Sequence, residues 1–114
     1  MLKIALNLTL ILSTLFLYGC RHETADWNTL AYQNGIIHKD NSPTPFTGIG
    51  YDKWENGQVR LRQPFVKGKE HGWTTTWYEN GKKSSEGEWR NGEQVGVWTY
   101  WDRDGDESTV NRGE

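Results

Sequence analysis

Apolar residues follow two different patterns along the chain. From Ile4 to Leu17 they form a nearly unbroken run of fourteen positions, interrupted only by Asn7, Thr9, Ser13 and Thr14 and free of charge. A membrane-spanning helix needs about 20 apolar residues, so a run of this length behind Lys3 fits the core of a cleaved export signal better than a span. Beyond it the apolar positions are sparse and alternate with polar ones. Trp73, Thr75 and Trp77 interleave with Thr74, Thr76 and Tyr78, and Val97, Thr99 and Trp101 interleave with Trp98 and Tyr100. That period of two is the signature of strands, and helical three-and-four spacing is absent.

The alternating stretches recur at a fixed interval. Asn56-Gly57 returns as Asn80-Gly81 and, with Asp for Asn, as Asp104-Gly105, each time 24 residues further on. Phe65 matches Trp89, Gly68 matches Gly92, and Gly48, Gly72 and Gly96 line up in series. Asn-Gly accepts positive φ angles, so each such pair is read as a tight type I′ turn that closes a hairpin. Strands are expected near Ile49 to Trp54, Val59 to Val66, Trp73 to Tyr78, Lys83 to Trp89 and Val97 to Trp101. Pro64 argues for an edge or a bulge in the second of these. Asn34-Gly35 suggests an opening hairpin from Leu30–Tyr32 and Ile36–His38, a first and shortened unit. The acidic, polar stretch from Asp102 to Glu114 is expected to blunt the last edge.

Composition refines this picture in one respect. After the first 19 of the 114 residues, 95 remain, with 12 basic and 15 acidic side chains and a net charge of −3. The charges are scattered, which gives no footprint for nucleic acid. These 95 residues hold only twelve Leu, Ile, Val and Phe but all seven tryptophans. A core built from them must be aromatic, with each buried indole removing roughly 150 to 250 Å² from water.

Two resemblances follow from the residues just quoted. Leu17-Tyr18-Gly19-Cys20 resembles the lipobox of bacterial lipoproteins, with Tyr18 where a small residue is usual. The resemblance implies cleavage before Cys20, the single cysteine, and acylation of it. Two or three acyl chains would then hold the protein stably on a membrane. The segment from Trp77-Tyr78-Glu79-Asn80-Gly81 through Glu86-Gly87-Glu88-Trp89 and Asn91-Gly92 to Gly96-Val97-Trp98-Thr99-Tyr100-Trp101 is similar to the MORN-type repeat of the YwqK family, as is Pro45-Phe46-Thr47-Gly48. It covers roughly residues 32 to 105. Lys53, Gln63-Pro64 and Asp104 depart from the repeat. The resemblance implies an all-β fold of consecutive antiparallel hairpins forming one elongated curved sheet. The chain divides accordingly into a signal peptide at 1–19, a lipidated N-terminus and short tether at 20–26, and a repeat domain at 27–114.

Candidate chemistry is thin. His22, His38 and His71 lack the spacing of metal ligands and are expected on exposed loops. Glu55 and Glu79 belong to the repeated turns, and one sheet offers no deep pocket in which to perturb them. Asp102, Asp104 and Asp106 fail the calcium-loop pattern because Gly105 precedes the third aspartate and no glutamate stands at the terminal position. No catalytic residue, cofactor or metal is therefore expected. Aromatic side chains on a two-faced sheet are the candidates for binding a protein partner: Trp73, Trp77, Tyr78, Trp98, Tyr100 and Trp101. The family resemblance implies a toxin or effector as that partner, and so an antitoxin or immunity role. An envelope structural or lipid-contacting role is the alternative. The expected location is the cell envelope, at the outer membrane facing the periplasm in a Gram-negative cell or otherwise on the outer face of the cell membrane.

Overall fold

A computed structural model describes residues 22–114, and the signal segment and Cys20 lie outside the described residues. The fold is all-β. Its strands are β1 (Thr24–Asp26), β2 (Leu30–Gln33), β3 (Ile36–Lys39), β4 (Gly48–Lys53), β5 (Val59–Val66), β6 (Lys69–Glu70), β7 (Gly72–Trp77), β8 (Lys83–Arg90), β9 (Glu93–Trp101) and β10 (Glu107–Asn111). A single 3₁₀ turn, Trp27–Thr29, follows β1. The main sheet runs β1-β4-β5-β7-β8-β9-β10, with β6 also on β5, and β2 and β3 form a separate two-stranded sheet. All neighbours are antiparallel except β1, which lies parallel to β4 with Ala25 opposite Gly50.

The turns are of two kinds, and this corrects the expectation of uniform type I′ geometry. Asn34-Gly35, Lys67-Gly68 and Asn91-Gly92 have both residues at positive φ, as a two-residue I′ turn requires. At Asn56-Gly57 and Asn80-Gly81 only the glycine does, at +86° and +85°. There the loop has three residues. Gly57 N–H donates to Trp54 O and Trp54 N–H to Gln58 O, and Tyr78 to Lys82 and Asp102 to Asp106 repeat the pattern. This is a type I turn closed by a glycine bulge. The asparagine serves through its side chain, with Asn56 Oδ1 accepting from Gln58 N–H and Asn80 Oδ1 from Lys82 N–H. The two kinds alternate, so one rim of the sheet carries I′ turns and the other carries bulged turns.

Both rims are stitched from unit to unit with the repeat's own period. On the bulged rim Trp54 Nε1–H donates to Trp77 O at 3.1 Å, and Tyr78 O–H donates to Trp101 O at 2.7 Å. On the other rim Gly68 N–H donates to Phe46 O and Gly92 N–H to Glu70 O. Lys67 N–H reaches Thr47 Oγ1, and Asn91 N–H reaches the Nδ1 of His71, one repeat on. His71 is therefore half-buried and fills the role of Thr47. His38 is buried as well, with Nδ1 3.0 Å from Ser42 O. Both findings correct the expectation of exposed loop histidines: His71 meets a partner 20 residues away, whereas His38 is held by Ser42, four residues on, beside a bridge to Pro45.

Three further differences come from pairing that local composition does not announce. Thr24–Asp26, expected within the tether, meets an open edge on β4 and becomes a strand. Glu107–Asn111, expected only to blunt the edge, pairs with β9 along its whole length. Pro64 is central rather than at an edge, but the irregularity expected with it is present: its missing N–H faces the break where pairing switches from β7 to β6 and His71 N–H donates to Pro64 O. The opening hairpin β2–β3 leaves the main sheet and folds over one of its faces. Ile37 N–H donates to Gly68 O and Phe46 N–H to Ile37 O, which brings Ala25, Ile37, Phe46 and Phe65 into one buried cluster with Trp27 and Leu30 against it. Phe65, 1% exposed, is its centre. Truncating such a ring typically costs about 3–5 kcal/mol.

Candidate functional site

The hairpin and Trp27 cover the β4–β5 end of that face and leave the β7–β8–β9 part open. The register states what lies there. Leu61, Thr76, Ser85 and Tyr100 face one another across four strands. Thr74 lies opposite Gly87, and Gly87 has no side chain because the Trp98 indole rests flat where its Cβ would be. Trp89 lies opposite Gln94. Together with Gln63 and Glu70 these residues, Gly87 excepted, line an open groove of about 330 Å³, walled by Trp27 on the covered side and by Trp89, Trp98 and Tyr100 on the other.

The walls are rigid rings set at angles. Trp89 and Trp98 meet edge to face at 90° with centroids 5.9 Å apart, and Tyr100 stacks on Trp98 at 6.4 Å. Trp98 is 3% exposed and its Nε1–H donates to Glu88 O. The floor is polar and internally satisfied: Thr74 Oγ1 bonds Gln63 Oε1, Gln63 Nε2 bonds Pro64 O, and Thr76 Oγ1 pairs with the hydroxyls of Ser84 and Ser85. One carboxylate stands at the mouth. Glu70 Oε1 accepts from Tyr32 O–H at 2.8 Å, tying the hairpin to the sheet. Tyr32 is 59% exposed as a residue, but partial desolvation of its hydroxyl end, with this hydrogen bond and the Glu70 charge adding to it, pushes the phenol up to about 12.

A second depression of about 390 Å³ adjoins the first, sharing Leu61 and Thr76, and is lined by Trp54, Trp77, Tyr78, Arg60 and Arg103. Here the rings already hold cations. The Arg60 guanidinium lies 5.2 Å from the Trp54 ring and that of Arg103 4.9 Å from Tyr78.

The six aromatic residues singled out from sequence are thus divided. Trp98 and Tyr100 wall the groove, while Trp77 and Tyr78 line its neighbour. Trp73 and Trp101 lie outside both: Trp73, 50% exposed, is opposite Glu88, and the Trp101 carbonyl receives Tyr78. Sequence reasoning missed Trp27, which has no copy in the repeat, and Glu70, whose position in the next unit is Gln94. Trp89 was matched to Phe65, but its ring borders the groove because no hairpin covers that unit. Glu55 and Glu79 are exposed turn residues. Asp102 Oδ1 accepts from the N–H groups of Asp104 and Asp106, which makes the aspartate run a turn. Among the described residues no group of three or more His, Cys, Asp or Glu gathers as a metal site, and no helix is long and apolar enough to cross a membrane. Comparison of the chain with protein-family models, with curated proteins and with solved structures gives no match.

Proposed function

We propose that the chain is a membrane-tethered, non-catalytic module that binds a protein partner through the uncovered part of its sheet. The observation that carries this reading is the half-covered face. A hairpin shields one end, and the other presents a groove with half-buried Trp27, Trp89 and Tyr100, backed by the buried Trp98 ring, around a polar floor whose hydrogen bonds are already made. Rigid aromatic rings give large contact area at little conformational cost, and they are enriched where proteins meet. Such a floor loses nothing when water leaves it, because its hydroxyl and amide groups bond one another.

The tether in this reading is the lipid on Cys20, which supplies stable attachment without help from the repeats. A toxin or effector is the class of partner that the family resemblance implies. The test uses the intact lipoprotein in its native envelope. Crosslinking and recovery should yield a discrete stoichiometric complex that is lost when Trp89 is replaced by Leu and retained when exposed Trp73 is replaced by Ala. Labelled fatty acid should enter the wild-type chain and not Cys20→Ser. A Cys20→Ser chain that floats with liposomes would instead favour direct lipid contact by the repeats.

A further inference from the structure

The groove's chemistry selects one kind of contact. Among the described residues Glu70 is the one carboxylate in its lining, no Lys or Arg lines it, and no ion pair uses that carboxylate. Around it stand rings with their negative π faces and edges at a corner: Trp89 and Trp98 at 90°, with Trp27 across the gap. In the adjoining depression the same fold shows what such rings hold, because Trp54 and Tyr78 each carry a guanidinium at about 5 Å. Among the described residues no Lys or Arg lies over the rings of Trp27, Trp89, Trp98 or Tyr100, although the Arg112 guanidinium donates to the Tyr100 hydroxyl at 3.3 Å. The neighbouring depression and the Tyr100 end are thus served by the chain's own cations, and the end where Trp27 and Trp89 stand with Glu70 is left open.

We infer that this groove takes a cationic side chain, a lysine or arginine presented by the partner polypeptide, with its stem against the indoles and its charge between the rings and Glu70. The inference rests on the protein-binding reading and names its anchor. A cation within about 6 Å of a ring centroid is attracted by the ring quadrupole, and more strongly where water is excluded. The carboxylate adds a charge-assisted partner. A neutral apolar side chain would meet the same rings but leave Glu70 without a counter-charge. An anionic one would be repelled.

The test uses the intact chain in detergent and three probes of equal backbone: acetyl-lysine amide, acetyl-trimethyllysine amide and acetyl-norleucine amide. Indole N–H resonances report binding by NMR. The two cationic probes should shift the groove indoles and bind about threefold to thirtyfold more tightly than norleucine, the range that a cation over aromatic rings supports. Glu70→Gln keeps an acceptor for Tyr32 and removes the charge, so it should bring the lysine probe close to norleucine. Trp89→Leu, at a half-buried position, should weaken both cations while strand content by circular dichroism is retained. Equal binding of norleucine and lysine overturns the inference, as does a lysine preference untouched by Glu70→Gln, or stronger binding of an uncharged disaccharide than of any cation. If these fail while Trp89→Leu still abolishes the envelope complex, the anchor is wrong and the protein-binding reading stands. If Trp89→Leu leaves that complex intact, the reading itself falls.

Discussion

Gly87 shows how one missing side chain shapes the molecule. It lies in the middle of β8, opposite Thr74, and the Trp98 ring occupies the space that a methyl group would take. Gly87→Ala should expel that ring and lower stability by about 2 kcal/mol or more, as overpacking does. A domain of this size would then melt roughly 10 °C lower. Equilibrium denaturation followed by tryptophan fluorescence checks it, with Trp73→Ala as the comparison, since that half-exposed ring should cost under about 1 kcal/mol. The two residues also mark what the sequence discloses at this scale. Alternation identifies Trp98 and Tyr100 as one set and Trp73, Val97 and Trp101 as the other. It does not say which set is covered, because that depends on where β2–β3 folds, and their docking runs through Gly68, Ile37 and Phe46, far apart in the chain.

At the level of elements, hydrogen bonds one repeat apart do the work that a deep core does elsewhere. Tyr78→Phe removes the bond to Trp101 O and should cost about 1 kcal/mol. Asn56→Ala removes both the bond to Gln58 N–H and the bond from Nδ2 to Glu79 O, and should cost somewhat more, about 1–2 kcal/mol, in the same denaturation assay. The series ends at Asp102. It stands where Trp54 and Tyr78 stand, offers no donor, and turns its carboxylate onto the Asp104 and Asp106 amides. β10 then covers β9. Removing residues 106–114 should expose the β9 edge and drive self-association, measured by sedimentation or light scattering. The glycine-marked strands and turns were legible because the signal repeats and is local. β1 and β10 were not, since Thr-Ala-Asp and Glu-Ser-Thr-Val-Asn become strands only because a neighbour's open edge receives them.

Seen whole, the molecule is a sheet with a small lid fixed over part of one face, and the lid's attachment is pH-sensitive. Tyr32 O–H donates to Glu70 from β2, and its phenol in the folded chain is raised to about 12 against 10.0 for the ordinary group. Its contribution to stability is present in full below pH 10. It is lost as pH climbs from about 10 to about 12, because the unfolded chain gives up the proton first. Tyr32→Phe should flatten that part of the stability profile and, since the residue is 59% exposed and the hydrogen bond is screened by solvent, should lower stability at neutral pH by about 1 kcal/mol or less, both read from denaturation midpoints across pH. The groove was only half legible in the sequence: the repeat displays its tryptophans, but Trp27 joins them from the turn that leads into the lid, and Glu70 from β6, a two-residue strand set by its pairing with β5.

The bonds that join each unit to the next carry a consequence for how such a chain can lengthen. Trp54 reaches Trp77, and Tyr78 reaches Trp101, so every unit brings a donor for its successor and an acceptor for its predecessor. A tandem duplication of one period, cut in the same phase at both ends, therefore arrives with its connections already in hand. The gene can gain or lose a rung without rewriting the residues on either side, provided Asp102 remains last in line.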